Sequence, residues 1–546
     1  MLALHIEEIA QALDGTFVTG REPVDISQMY VTSVSTDSRV TSDHGLFVAI
    51  KGEHVDGHDF LQSAARHGYV AALVDHEVKL PEAHDTPSDS QHEMDQGLQR
   101  EDNPQILQIL VPDTVKALGQ VAHLNLEHRR ALRSPFTIIG ITGSVGKTTT
   151  KDLTRALLAS RDNTVAPQGS FNNDIGLPLT ATTVDERTRY FVAEMGASGI
   201  GDIARLTAIA RPDVGAELRV GTAHVGEFGS VENIFLAKSE LVEALPQESG
   251  IAILNADDEN VARMQDKTQA AHVLWFGITN ATHQAQLDVT ARNISVDNLD
   301  RPSFQLIIEG KLAGDVHLQL SGKHHVMNAL AAVSIAHCLG LPDEQIVRVL
   351  NSHIPLSPHR MCVREVEVNS QRFTVLDDTF NANPDSMRGG IEGLASLGDE
   401  NSYRVAVLGP MLELGEESDE LHHEVASRVY FDGIDNLIAV GTPSLPEADH
   451  LADAYVEGIH QAAHATDIPV NPTKARRHGP FSLTRVKDAD EAYAQMMYVL
   501  EKHPHALFLL KGSHAAGLSA LADRLLRHTV TSADSSATPA AGVNQA

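Results

Sequence analysis

The chain has 546 residues, 42% of them apolar, and carries a net charge of −31 with its histidines neutral. Its length calls for about three or four domains rather than one core, and its acidity disfavours nonspecific nucleic-acid binding, which needs basic surface to displace counterions. A membrane span, a secretory signal, a disulfide scaffold and a zinc site are not expected: no run approaches ~18 apolar residues, Met1 to Glu8 lacks a basic start, and Cys338 and Cys362 have no paired spacing.

The expected location is therefore the cytoplasm, and the expected fold class is α/β with three domains. Residues 1–134 form the first, a smaller α/β unit. It has strand-like runs at Leu46 to Ile50 and Val70 to Val74 and a helix-like run at Asp59 to His67. Within it, residues 79–105 are rich in Asp, Glu, Ser, Gln and Pro and should be a disordered acidic insertion. Residues 135–356 alternate strand-like runs (Thr137 to Ile141, Tyr190 to Ala193, Val214 to Val220, Ile251 to Leu254, Val273 to Phe276) with helical stretches such as Val231 to Leu245. That alternation predicts a mostly parallel sheet covered by helices. The period-two stretch Gln286 to Leu320 predicts an antiparallel addition before a helix around Val326 to Cys338. Residues 357–528 restart the alternation at Phe373 to Leu376, Arg404 to Leu408, Asn436 to Val440 and Ala506 to Leu510, a Rossmann-like third domain. The Ser/Ala/Thr/Pro-rich tail, 529–546, should be disordered.

The chemistry starts where the apolar run Phe136 to Ile139 enters Gly140-Ile141-Thr142-Gly143-Ser144-Val145-Gly146-Lys147-Thr148, followed by the helix-forming run Lys151 to Leu158. Gly143 and Gly146 let backbone N–H groups converge on an anion, and the new helix adds its free N–H groups and positive dipole end. Lys147 can reach terminal phosphates and the Thr148 hydroxyl can hold Mg²⁺. The full P-loop pattern has Gly five residues before Gly146, where this chain has Ile141. The turn predicts ATP binding, made locally electropositive against an acidic background.

Further along, Asn172-Asn173-Asp174-Ile175-Gly176-Leu177-Pro178 fits a loop with amides near phosphate, or equally an asparagine-rich turn. Glu194 closes the strand Tyr190 to Ala193. It fits a Mg²⁺ ligand beside Thr148, since parallel strands share their C-terminal edge, and it also fits a solvent-exposed strand-end glutamate. His224 ends the next such run, Val220-Gly221-Thr222-Ala223-His224, as a metal ligand or as one of 29 ordinary histidines. Lys238, inside a helical run, reads by itself as a plain helix lysine. Arg360, in His359-Arg360-Met361, could neutralise phosphate charge across a domain cleft in the manner of an arginine finger. Asp378 could accept ribose hydroxyls or orient that arginine, while a linker salt bridge explains both equally well.

Together these motifs resemble the Mur ligases, ATP-dependent amide-forming enzymes of peptidoglycan synthesis. The resemblance covers nearly the whole chain outside the insertion and the tail. Its most specific stretches are TGSVGKTTTK, FNNDIGLPLT, GTAHVGEFGS with AKSELVEAL, DDTFNANPDSM and LGPMLELGEESDELHHEV. The last two resemble the branch that joins D-alanyl-D-alanine to UDP-N-acetylmuramoyl-tripeptide, which implies those two substrates and a role in cell-wall biogenesis, cell shape and division. The resemblance implies ATP contacts at Thr142, Gly143, Ser144, Val145, Gly146, Lys147, Thr148, Asn173, Asn328, Arg360 and Asp378. It implies two Mg²⁺ ions held through Thr148, Glu194, His224 and Lys238, the lysine carrying CO₂ as N6-carboxylysine, with Lys147, His224, Lys238 and Arg360 as the catalytic set. The stretches Ser35 to Arg39 and Lys51 to Phe60 look like the family's UDP-sugar-binding domain and imply substrate contacts at Ser38, Arg39, Lys51, Asp56, Gly57 and His58. A monomer is expected.

Four positions depart from the family pattern. Glu217-Leu218-Arg219 stands where a Thr-Asn pair is usual, His325 where Asn is common, Pro410 where an acid is usual and His514 where arginine is frequent. Arg219 places an extra cation near the expected metal site. Two other readings stay open. A folylpolyglutamate synthase-like ligase would share the ATP domain but lack the UDP-binding block. A nucleotide-binding scaffold without catalysis is opposed by Lys147, Glu194, His224 and Lys238 standing together.

Overall fold

The computed structural model describes residues 1–18, 25–52, 55–80, 106–221, 225–279, 286–464 and 478–529. His224, residues 81–105 of the expected insertion and residues 530–546 of the expected tail lie outside the described residues.

Three main sheets carry the chain. The first has five strands in the spatial order Thr16–Val18, Leu107–Leu110, Tyr69–Val74, Gly45–Val48 and Ser33–Ser35, parallel except for the antiparallel edge at Thr16–Val18. The run expected as one helix at 59–67 is a short 3₁₀ turn, Gly57–Phe60, continued by the helix Leu61–Arg66.

The second sheet has nine strands. At its centre lie Ile251–Asn255, Val214–Glu217, Thr137–Thr142 and Tyr190–Glu194, all parallel. These strands read as unbroken apolar runs because helices cover both faces, leaving no side of the pleat for polar residues. The stretch 286–320 is the expected antiparallel addition, a meander of Val289–Val296, Pro302–Ile308 and Lys311–His317. The strand expected over 214–220 stops at Glu217, whose register opposite Thr142 brings it level with the start of the glycine turn.

The third sheet runs Cys362–Val368, Gln371–Asp378, Leu507–Lys511, Arg404–Leu408, Asn436–Val440, Ser482–Val486, parallel after its first antiparallel pair. Cys362–Val368 and Ser482–Val486 were not expected from the sequence. Both are edge strands, in which charged and polar residues such as Arg364, Glu365, Thr484 and Arg485 interrupt the apolar run that the central strands show.

The helix Thr114–Ala131 ties the first unit to the second. Arg129, 1% exposed, donates from its guanidinium to the carbonyls of Thr188 (2.6 and 2.9 Å), Ser134 (3.1 Å) and Pro135 (3.0 Å). The Asn125 amide donates to the carbonyls of Ala181 and Val184, both at 3.0 Å. The helix is thus pinned by polar bonds to irregular backbone that would otherwise be buried without partners.

Candidate active site

The glycine turn works because of its backbone. Gly143 and Gly146 have φ of 150° and 86°, which L side chains rarely adopt, and a Cβ at Gly146 would collide with the Asn328 side chain. The following helix runs Lys147–Ala159 and opens four residues before the predicted helix-forming run. Thr148, Thr149 and Thr150 are weak helix formers, so the turn and the packing of this helix against His325–Cys338 set the start, rather than propensity.

A cleft of about 1710 Å³ opens at the C-terminal edges of the second and third sheets. Of the residues singled out in the sequence, Lys147, Thr148, Asn173, Glu194, Lys238, Asn328, Arg360 and Asp378 all line it. Thr148 Oγ1 donates to Glu194 Oε1 at 3.1 Å and lies 2.8 Å from Ser170 Oγ. Glu194, 1% exposed, also accepts from the Asn172 amide at 2.9 Å, while its Oε2 is buried without a partner. The structure therefore brings Asn172 to the carboxylate. Asn173 turns its Oδ1 toward the start of the helix Gly176–Ala181, accepting from Gly176 N at 2.9 Å.

Arg360 reaches this cluster from the third domain. Its Nη2 donates to Thr148 Oγ1 at 3.0 Å and to Ser170 Oγ at 2.7 Å, and its guanidinium stacks 3.9 Å from the Phe380 ring centroid. The turn that presents it is held in an unusual backbone conformation, with φ of 63° at His359 and 47° at Met361. His359 Nδ1 meets Asp377 Oδ2 at 2.9 Å, and Met361 N donates to Asp378 Oδ1 at 3.2 Å. Asp378 is thereby a brace for the arginine turn, and its other oxygen accepts from Lys511 at 2.5 Å.

Two lysines that the sequence reading did not assign carry this architecture. Lys511, 1% exposed, donates to Asp378 and to the Asn381 carbonyl at 2.9 Å. Lys151, fully buried, donates to the Pro167 and Gly169 carbonyls, both at 2.8 Å, and to Ser357 Oγ at 3.2 Å, with Asp152 at 3.0 Å as its counter-ion. It fastens the P-loop helix to the segment that delivers Arg360. Lys511 and Asp378 stand 133 residues apart and Lys151 and Ser357 206, so neither link shows in a local motif.

Electrostatics separate the two buried lysines Lys147 and Lys238. Burial depresses the Lys147 ammonium, Glu194 opposing and Arg360 assisting; its Nζ donates to the Gly143 carbonyl at 2.7 Å. Lys238 is 3% exposed and is lowered to about 7 by burial and by Lys147, with Glu217 pulling the other way. Glu217 is fully buried, both its carboxylate oxygens lack partners, and burial raises its pKa well above the usual range despite Lys238.

Arg219 turns its guanidinium to Asp385 of the third domain, 3.8 Å away, making a cross-cleft ion pair rather than a contact to Glu194. His325 is buried with Nδ1 3.0 Å from the Asn328 amide, and Asn328 in turn sits against Gly146. The Pro410 carbonyl accepts from Ser513 N at 3.0 Å, and His514 is exposed.

The expected UDP-sugar residues do not line the cleft. Arg39, 84% exposed, is forked onto Asp37 at 2.8 and 2.9 Å. Ser38 is buried, and Lys51 faces Asp56 through an isolated backbone bridge. Asp56 holds His58 Nδ1 at 2.6 Å, and a Cβ on Gly57 would strike Ile50 backbone at 2.6 Å.

The chain matches the models for the Mur ligase middle domain over residues 141–336, for the Mur ligase, glutamate ligase domain over 359–514 and for the Mur ligase family, catalytic domain over 30–125. It is 37% identical to the UDP-N-acetylmuramoyl-tripeptide--D-alanyl-D-alanine ligase of Mycobacterium tuberculosis, covering 96% of this chain and 98% of that one. It is 32% identical to the enzyme of the same name from Escherichia coli, over 81% and 87% of the two chains. The crystal structure of MurF from Acinetobacter baumannii superposes with a TM-score of 0.73 at 28% identity, covering 96% of this chain and 99% of that one. With three successive domain matches, and with 37% identity to a relative over 96% of its own residues, the chain belongs to the Mur ligase family.

Proposed function

We propose that this chain is the ATP-dependent ligase that joins D-alanyl-D-alanine to UDP-N-acetylmuramoyl-tripeptide in peptidoglycan precursor synthesis, releasing ADP and phosphate. The activity named for the Mycobacterium tuberculosis and Escherichia coli relatives supports it. The observation that carries it is the Arg360 guanidinium, supplied by one domain and hydrogen-bonded to the P-loop threonine of another.

The carboxylate ending the tripeptide attacks the γ-phosphorus of ATP, and the bond from that phosphorus to the β-phosphate oxygen breaks, leaving an acyl phosphate and ADP. The dipeptide amine adds to the acyl carbon, the carbon–oxygen bond to phosphate breaks, and the amine proton leaves with solvent or phosphate. Direct amide formation fails because oxide is not a leaving group. The turn's N–H groups and Lys147 cradle the phosphates, and Arg360 adds positive charge where it develops. Closing the cleft keeps water from an intermediate that hydrolyses.

The side chains fit Mg²⁺: a hydroxyl and a carboxylate converge, and the orphaned Glu194 Oε2 calls for a cation. Thr148 and Glu194 would hold one ion; His224 and a carboxylated Lys238 would serve a second. Bound Mg²⁺ would neutralise charge on the transferring phosphoryl group. A Lys238 that titrates near 7 keeps a neutral amine available to take up CO₂. The first domain would take the UDP end of the substrate through Ser38, Arg39, Lys51, Asp56, Gly57 and His58. We place the reaction in the cytoplasm, where ATP and sugar nucleotides are made; no described helix is long and apolar enough to cross a membrane.

A phosphate-release assay tests the reading. Turnover should require the UDP-tripeptide and the dipeptide together, with the UDP-pentapeptide seen by mass spectrometry. ATP hydrolysis indifferent to either substrate would defeat it.

A further inference from the structure

A second cluster of ligand-type side chains lies away from the cleft, in the first domain. His58 sits on the 3₁₀ turn Gly57–Phe60, and Asp75 and His76 follow the last residue of the strand Tyr69–Val74. Among the described residues, no other three His, Cys, Asp or Glu side chains bring ligand atoms within 4.8 Å of one another.

The hydrogen bonds around His58 define its state. Its Nδ1 lies 2.6 Å from Asp56 Oδ1, and the backbone N–H of Asp75 donates to its Nε2 at 3.2 Å. The proton is therefore on Nδ1, fixed by a carboxylate, and Nε2 presents a lone pair. Asp75 Oδ1 also lies 3.2 Å from Nε2, beside the Asp75 N–H that this lone pair accepts, so an exchange of that hydrogen bond for a metal bond would place two ligand atoms at one ion together. The same oxygen lies 2.5 Å from His76 Nδ1. The two imidazoles stack at 4.3 Å between centroids.

We propose that His58 Nε2, Asp75 Oδ1 and a nitrogen of His76 form a binding site for a divalent transition-metal ion of the zinc type. Metal bonds of about 2.0–2.1 Å at tetrahedral angles put neighbouring ligand atoms about 3.3 Å apart, close to the 3.2 Å between His58 Nε2 and Asp75 Oδ1. His76, 59% exposed, reaches that spacing by leaving both its hydrogen bond and its stack on His58 and turning a nitrogen toward the ion. The carboxylate behind His58 is the outer partner that a metal-bound imidazole usually has. Two aspartates bring two negative charges, which a divalent ion cancels. Two imidazoles and one carboxylate select zinc-like ions over Mg²⁺, which prefers oxygen. The exposed side leaves a coordination position for water or an outside ligand. The site uses neither cysteine of the chain, and it shares His58 with the residues proposed for the UDP end of the substrate.

Co²⁺ is the probe, added to the full chain in excess Mg²⁺ so that oxygen-rich sites stay filled. The wild type should take up one equivalent with visible d–d absorption from nitrogen ligation, and Zn²⁺ should displace it and raise the melting temperature. His76→Ala and Asp75→Asn should each weaken that uptake by about tenfold or more and melt like wild type when metal-free. A wild type that takes up no Co²⁺, as a purely hydrogen-bonded His–Asp chain would behave, overturns the proposal. So does uptake undiminished in both variants.

Discussion

Arg360 and Thr148 stand 212 residues apart in the chain, yet the arginine Nη2 donates to the threonine Oγ1 at 3.0 Å. The bond joins the strained turn at the start of the third domain to the first turn of the P-loop helix. It makes the phosphate site a property of two domains held together.

Arg360→Ala should therefore lower kcat by roughly a thousandfold, the low end for an arginine that meets phosphoryl charge, with KM for ATP little changed. Arg360→Lys should recover only a small part, since an ammonium lacks the planar face that the guanidinium stacks on Phe380. Steady-state phosphate release measures both, and wild-type turnover in the alanine variant would contradict the assignment.

Asp378→Asn should destabilise the third domain by about 3 kcal/mol, because it strips the counter-charge from a lysine that is 1% exposed. The urea midpoint should fall, and kcat should fall too, through the loosened Arg360 turn. An unchanged midpoint would show that Lys511 finds another partner.

Glu217→Gln should lower the Lys238 pKa further, by roughly one unit, because the carboxylate is the group that holds it up against burial and Lys147. Carbon-13 NMR of labelled lysine reads this directly. A Lys238 that titrates as in wild type or higher would mean that Glu217 is uncharged beside it.

His422 predicts an acid limit for the third domain. Its Nε2 accepts from Met411 N at 3.0 Å, its Nδ1 meets the Ser418 carbonyl at 2.6 Å, and burial pushes its pKa down to about 4. The unfolded chain, with a value near 6.5, binds the proton that the fold refuses, so stability is full above about 6.5 and is lost as pH falls toward about 4. The loss should reach about 3 kcal/mol. His422→Gln should flatten that part of the stability profile, and a profile as steep as wild type would refute the assignment.

Arg129→Ala should cost about 3 kcal/mol, because it leaves three backbone carbonyls without their buried donor. Urea unfolding should show the seam between the first and second domains opening first. A variant as stable as wild type would mean that water replaces the guanidinium.

Much of the site was legible in residue order because its signals are local. A glycine turn between an apolar run and a helix start is a backbone requirement confined to about ten residues, so Gly143, Gly146, Lys147 and Thr148 could be read directly. Glu194 was legible for a similar reason, since a parallel sheet puts strand ends on one edge. The readings left open, such as Asp378 as ribose acceptor or arginine brace, depended on a partner far along the chain. The resemblance singled out Asn173, whereas the amide that meets Glu194 is that of Asn172, because only the direction of the folded side chain decides between neighbours in one loop.

The chain by itself determined the three α/β domains, the phosphate turn and the family, because periodicity, glycine placement and motif spacing are properties of neighbours in sequence. Folding in three dimensions decided that Lys511 and Asp378 brace the Arg360 turn, that Lys151 fastens the linker, that Arg219 faces Asp385, and that Glu217 is buried without a hydrogen-bond partner. Those outcomes depend on burial and on which distant charges meet, and the energy of a charge is set by its surroundings rather than by its place in the chain.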